Sequence, residues 1–220
     1  MNRISIRGGV FNGIPTDTDT QIKVVILNAA NVARSYYSDE FSVDSFQHPT
    51  CWSVDTQRPA IEVLESRIQS ARCIDCTQNI RGSAKGGIGR ACRYFQLLAV
   101  AEEHDLRTVY RLQVPSASVF GKGNRDNKMS LEGYARFLQK HGTPPAAVVT
   151  RIFFDDISTM PKICFDADRA LAEKELDEVR GMINHPDALE AITFSVTSHN
   201  LSPFSIVDGG FVFNDGDHNG

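Results

Sequence analysis

Four cysteines in the first half of the chain constrain its fold more than any other feature. They fall as Cys51-x21-Cys73-x2-Cys76-x15-Cys92. A Cys-x2-Cys pair sets two thiolates on one tight turn, where both can reach a single tetrahedral ion. The fifteen-residue gap from Cys76 to Cys92 matches the interval between the halves of structural zinc sites. The second half offers one cysteine, so a fourth ligand must come from elsewhere. Cys51 is the best candidate, because an otherwise loose loop needs an anchor; His48, three residues earlier, is the alternative. Cys164 lies between Ile163 and Phe165, the habit of a buried structural thiol.

The thiols have other possible uses. A redox pair needs its Cys-x-x-Cys at a helix N-terminus in a βαβ unit, and no such unit is evident. A catalytic cysteine needs an activating base, which no motif supplies. An iron–sulfur cluster would accept the same ligands, and four unrelated thiols remain an alternative. Zn2+ is the expected cofactor, and no enzymatic activity is expected. The N-terminus lacks the apolar core of a secretory signal, and no apolar run approaches the roughly 18–20 residues that span a bilayer. A cytoplasmic location is expected, where such a cluster points to metal or catalysis rather than to disulfides.

The net charge of −4 conceals a polarity. Residues 166–220 hold eleven acids and three bases, a net of −8, whereas residues 1–165 hold sixteen acids and twenty bases, a net of +4. Between Arg72 and Arg93 lie Arg72, Arg81, Lys85, Arg90 and Arg93 against the single acid Asp75. A basic body with an acidic tail suggests a polyanionic ligand and a tail that competes with it. The alternative is an acidic protein with one solvated basic loop. The loop itself, RGSAKGGIGR, lacks the Gly-x4-Gly-Lys-Ser/Thr of a phosphate-binding loop. Nor does it have the strand and helix around a dinucleotide fingerprint. It reads as a flexible cationic tether, with Arg81, Lys85 and Arg90 free to meet phosphates.

Apolar patterning places strands at Ile22–Val32, Cys92–Glu103, Thr108–Pro115, Ala146–Asp156 and Pro161–Ala167. A helix fits Ser130–Gly142: Ser130 can cap its start, Leu131, Tyr134 and Leu138 form a stripe, and Gly142 suits its end. Further helices fit the stripe Ala172, Leu176, Val179, Ile183 and the segment Pro186–Ile192. Thr193–Thr197 reads as a weak strand. Residues 1–20 read as a flexible arm, 21–170 as the body with the cysteine insertion at 48–92, 171–200 as a C-terminal helical segment, and 201–220 as an acidic flexible tail. The fold class is α+β. Five strands with a helix between the third and fourth is the element order of an OB-fold, a five-stranded Greek-key barrel that binds oligonucleotides. An unspecified α+β domain is the rival.

A single-strand binder needs cations beside aromatic platforms. Alternation puts Arg151 and Phe153 on one face of their strand and leaves Arg111 outward on its own. Arg93 and Tyr94 follow the last cysteine of the cluster, and Trp52 follows the first. Phe120–Lys128 is a second glycine-rich basic loop, with Lys122 and Arg125. Each of these also has a plain structural reading, as packing or as a surface turn.

The segments CWSVD, CIDCTQNIRGS, ACRYFQLLAV, YRLQVPSASVFGKG and VVTRIFFDD resemble recurring blocks of tailed-phage single-stranded-DNA-binding proteins, over about residues 48–170. The resemblance implies an OB-type body and a bound zinc held by Cys51, Cys73, Cys76 and Cys92. It also implies a role coating single strands during phage DNA replication or recombination, in the host cytoplasm. The tail, with Asp208, Phe211, Phe213, Asp215 and Asp217, ends in Gly220 rather than in an acidic patch closed by Phe. It departs there from the family pattern, which weakens the expectation that it docks replication or recombination proteins. Two other functions compete: a zinc-containing adaptor for phage or host transcription or replication proteins, and a metal-dependent nuclease using Asp155 and Asp156. Adjacent strand residues point to opposite faces, which makes those two poor partners for one ion.

Overall fold

The computed structural model describes residues 1–16, 18–38, 48–120, 128–156, 158 and 162–194, and the backbone alone of 204–207 and 210–213. The architecture is α+β: a large, mostly antiparallel sheet with helices on both sides. Its strands are β1 (Asn2–Ile4), β2 (Gln21–Ala29), β3 (Ala33–Tyr36), β4 (Cys51–Ser53), β5 (Arg93–Glu102), β6 (Asp105–Pro115), β7 (Val148–Phe154) and β8 (Ile163–Ala170). The order along the sheet is β1-β6-β5-β2-β7-β8, with β3 bridging β5 and β4. Only β1 runs parallel to its neighbour, β6. The helices are α1 (Ser116–Val119), α2 (Leu131–Lys140), α3 (Glu173–Met182) and α4 (Pro186–Ile192). A separate hairpin pairs β9 (Phe204–Val207) with β10 (Gly210–Phe213).

The unbroken apolar runs of β2 and β5 follow from burial on both faces. Ile22, Val24 and Ile26 of β2 join Leu98 and Val100 of β5 in one core, which also takes Leu112, Ile152, Phe165 and the α2 residues Tyr134 and Leu138. All six strands of the path contribute to this core, so the sheet must curl round it. Full burial of a side chain such as Phe165 contributes about 2–3 kcal/mol. On the outer face, Val25, Ala99, Ala101 and Val109 pack against Val179, Met182, Ala188 and Ala191 of α3 and α4. Alanines on both partners let helix and sheet approach closely.

The β8 edge is closed by the connection between β6 and α2. The Ile163 backbone N–H donates to Ser118 Oγ at 2.9 Å, and Met129 and Phe165 exchange backbone hydrogen bonds of 3.3 and 2.8 Å. The helix α2 starts as expected: Ser130 Oγ accepts from the Gly133 N–H at 3.1 Å, and Gly142 takes φ +64° just past its end. Buried at its centre, the Tyr134 and Thr150 hydroxyls share a 2.8 Å hydrogen bond. Burial pushes the Tyr134 pKa up to about 12.

Two expectations change. The first twenty residues do not behave as a loose arm: β1 pairs with β6, and Ile4, Phe11 and Ile14 enter the core. Their apolar positions have no period because they anchor a meandering segment, and a meander leaves no periodic trace. The predicted strand Ile22–Val32 ends early, at Ala29, after a bulge between Ile26 and Asn28, and a separate strand, β3, begins at Ala33. Of the predicted strand Thr193–Thr197, Thr193 and Phe194 pair with no strand among the described residues, and the remainder lies outside them.

Candidate metal centre and nucleic-acid surface

Separate backbone anchors gather the four cysteines. Cys51 sits in β4, opposite Tyr36 of β3. Cys73 opens the single-turn 3-10 helix Cys73–Asp75, and Cys76 is the extended residue between it and the next, Thr77–Asn79. The Cys73 N–H is tied to the Gln57 carbonyl and the Cys92 N–H to the Gln78 carbonyl, each at 2.8 Å. All four thiols are buried, free of disulfides, and line one cavity of about 20 Å3 together with Arg34 and Trp52. That volume is the size of a single water or ion.

Burial raises the Cys51 pKa, offset in part by a hydrogen bond from the Gln69 backbone. Burial also pushes Cys92 up to about 11, against the lowering effect of Arg34. In this form Cys51 and Cys92 hold their protons, which an incoming metal must displace. Among the described residues, the trio whose ligand atoms lie within 4.8 Å of one another is Glu102, Glu103 and His104. The thiols are spread more widely than that. A Zn–S bond of about 2.3 Å would need them drawn to about 3.8 Å from one another. His48, the alternative fourth ligand, is exposed and does not line the cavity.

Arg34 is the largest fully buried side chain among the described residues, 1% exposed. Its Nη1 donates to the Cys73 carbonyl at 3.4 Å, its Nη2 donates to Asn79 Oδ1, and its Cζ stands 4.3 Å from the centre of the Tyr94 ring. Its Nε has no hydrogen-bond partner. Nothing in the sequence marks this residue. A lone arginine between Ala33 and Ser35 carries no motif, and only the pairing of β3 with β4 and β5 brings it to the thiols.

The glycine-rich loop is not slack. Ser83 Oγ donates to the Gln78 carbonyl and accepts from the Ala91 N–H, both at 3.0 Å, clamping the loop's two ends. The Gly82 N–H also meets the Gly89 carbonyl across the loop. Gly82 and Gly89 hold φ +96° and +82°, conformations open to glycine at low cost. The glycines therefore shape a closed loop between two cysteines.

Arg81, Lys85, Arg90 and Arg93 are all exposed on this insertion. Arg58 and Arg67, which motif reading passed over, are exposed there too. Counting charge from Cys51 rather than from Arg72 would have found them. Arg58, Arg67, Arg81, Arg90 and Arg93 have no ion-pair partner among the described residues, whereas Arg72 pairs with Asp75 at 3.2 Å. Tyr94 is half-buried between Arg34 and the edge of Phe120, whose centroid lies 5.7 Å away; Phe120 itself is exposed.

Other expected contact residues lie elsewhere. Trp52 is buried, edge-on to Phe194 at 6.5 Å, so it is packing rather than an open platform. Arg111 does point outward, but α4 covers it. Its guanidinium donates to the carbonyls of Ala191, Glu190 and Thr193 at 2.7, 2.5 and 2.8 Å. Alternation indicated its face, and the helix that occupies that face was not visible from the strand alone. Arg151 and Phe153 share a face as expected, the guanidinium 4.9 Å from the ring centre, but Arg151 is also paired to Asp166 at 2.8 Å. Lys122, Arg125, Asp208, Asp215 and Asp217 lie outside the described residues. Asp155 and Asp156 do not diverge, because β7 ends at Phe154: both reach Lys128, and Lys162 also pairs with Asp155 at 3.0 Å. No helix among the described residues is long and apolar enough to cross a membrane.

Comparison with family models, with curated proteins and with solved structures finds no match.

Proposed function

We propose that this protein binds single-stranded DNA without sequence preference, through a cationic insertion mounted on an OB-type barrel and folded around a zinc ion. The observation that carries the reading is the run of exposed arginines on the insertion, Arg58, Arg67, Arg81, Arg90 and Arg93, left without carboxylate partners among the described residues. Unpaired guanidinium groups on a surface favour a polyanion, and phosphates accept their paired donors. The strand order supports the barrel. Taking β2, β5, β6, β7 and β8 as strands one to five, their order is 3-2-1-4-5, with α2 between the third and fourth. That is the order of an open or closed OB-type sheet.

In this reading, α3 and α4 occupy the outer face of β5 and β6, so the strand track runs along the insertion instead. Arg81, Lys85, Arg90 and Arg93 take phosphates, and Tyr94 and Phe120 offer rings at the junction between insertion and barrel. Cys51, Cys73, Cys76 and Cys92 hold the ion. A bound ion supplies a cross-link between β4, the knuckle and the start of β5, replacing the core that this glycine- and arginine-rich segment lacks. Coating of single strands during replication or recombination is the corresponding role.

The test is a titration of labelled single-stranded DNA, RNA and duplex at two salt concentrations. Single-stranded DNA should bind best, with an affinity that falls steeply as salt rises, because phosphate neutralisation releases counterions. Preference for duplex sinks the proposal. One observation favours the second reading, an adaptor for other proteins: Ile61, Ile74, Ile80 and Ile88 of the insertion are largely exposed. An adaptor would bind no oligonucleotide and would instead hold a protein partner through those aliphatic side chains.

A further inference from the structure

A guanidinium stays charged at any physiological pH. Burying it is costly unless an opposite charge accompanies it. Among the described residues, Arg34 is buried without one. Its contacts are the neutral Cys73 carbonyl, the neutral Asn79 amide and the Tyr94 ring, and its Nε donates to nothing. Among the described residues, Arg34 shares its cavity with four groups able to become anionic ligands, the thiols of Cys51, Cys73, Cys76 and Cys92, and with no carboxylate.

We propose that Arg34 is the internal counter-cation of a metal tetrathiolate centre. Four thiolates around one divalent ion carry a net charge of −2, and Arg34 reduces the charge of the buried unit to −1. The ligand class is a thiophilic divalent ion such as Zn2+, and Arg34 is a positioning residue that binds no metal itself. The inference rests on the four cysteines being ligands. It adds that the pocket was assembled for their anionic form: only then does the buried guanidinium have a partner. The same guanidinium reaches the Cys73 carbonyl and Asn79, so it couples the charge of the centre to the shape of the knuckle.

The experiment compares the full chain with Arg34→Met, Arg34→Lys and Arg34→Gln, each prepared loaded with zinc and stripped by a chelator under reducing conditions. Zinc affinity is read by competition with a chromophoric chelator, and melting temperature is read in both forms. Arg34→Met should lose about tenfold or more in zinc affinity, the scale of outer-shell partners of metal ligands. It should melt below the unsubstituted protein when loaded and above it when stripped, because the stripped protein keeps an uncompensated charge that the variant lacks. Equal zinc affinity, with melting lowered alike in both forms, overturns the counter-cation and leaves the ligands standing. Should Arg34→Met not fold, the order of the other two decides. Arg34→Lys keeps the charge and Arg34→Gln keeps an uncharged donor. Tighter zinc binding by Arg34→Lys supports the proposal, and the reverse order overturns it. If the unsubstituted protein takes up no zinc, and Co2+ produces no thiolate charge-transfer band, the four-cysteine centre falls along with the role of Arg34.

Discussion

Arg111 Nε donates a 2.7 Å hydrogen bond to the Ala191 carbonyl, tying β6 to the last turn of α4 across 80 residues. The other donors of the guanidinium reach Glu190, whose carbonyl also accepts from the Thr193 N–H, and Thr193, so one cation gathers carbonyls at the end of the helix. Its positive charge also suits the negative end of the helix dipole. Arg111→Met should cost about 2–3 kcal/mol, the scale of a charge-assisted hydrogen bond lost from a buried site. Chemical denaturation should read this loss. Oligonucleotide affinity of the folded variant should stay unchanged, because Arg111 is turned to the helix and not to solvent.

Gly13 faces a different constraint. It holds φ +90°, and a Cβ there would stand 2.3 Å from the Arg3 carbonyl oxygen. Gly13→Ala must therefore push β1 away from its pairing with β6 or strain the turn, where neither move is cheap. The expected cost is more than about 1 kcal/mol, since alanine adds both a clash and an unfavourable backbone. Amide exchange in Asn2–Ile4 should speed up well before the rest of the sheet opens. Unchanged protection of those amides would mean that β1 contributes nothing to the edge of β6.

These two sites mark the limit of what the sequence discloses. The strands β5 to β8 and the helix α2 were legible because their apolar residues form continuous runs or repeat with a period, and because the helix ends carry punctuation, Ser130 and Gly142. The gathering of the four cysteines was legible because their spacing is a local property, and the structure lines one cavity with the same four residues. Arg34, Arg111 and Phe11 carry no such local mark. Their roles depend on pairings between distant segments, β3 with β4, β6 with α4, and the N-terminal meander with the core. Trp52 misled for the same reason: an aromatic beside a cysteine looks available until Phe194, from the far end of the chain, packs against it.

Acid should loosen α3 first. Glu175 accepts two hydrogen bonds from Arg169, at 2.8 and 2.7 Å, and one from the Ala172 N–H at 2.6 Å, closing the start of the helix. The Arg169 contact, with help from that N–H, holds the Glu175 pKa down to about 2, against an ordinary 4.5. A depressed folded-state pKa means that the contribution is full above the unfolded value and is lost as pH falls through the folded one. The α3 cap should therefore weaken between about pH 4.5 and 2. Because the pair is largely solvated, the effect is that of a helix cap, about 1 kcal/mol. Glu175→Gln should remove that part of the acid dependence when stability is measured from pH 7 down to pH 2. An unchanged pH profile in the variant would assign the acid loss to other carboxylates.

The arginines of the insertion give the sharpest functional prediction. If each of Arg81 and Arg90 meets one phosphate, neutralising both should remove two counterion-releasing contacts. The slope of log affinity against log salt for single-stranded DNA should then shrink by about 1.4, at about 0.7 per phosphate on a single strand. Both residues are exposed and without ion pairs among the described residues, so Arg81→Gln with Arg90→Gln should leave the melting temperature nearly unchanged. The weakening should be uniform across oligonucleotides of different sequence, because phosphate contacts carry no base information. Phe120→Ala should behave differently. Loss of a stacking ring lowers affinity by about 1–3 kcal/mol while leaving the salt slope intact. A double variant whose slope and affinity both match the unsubstituted protein would move the strand track off the glycine-rich loop.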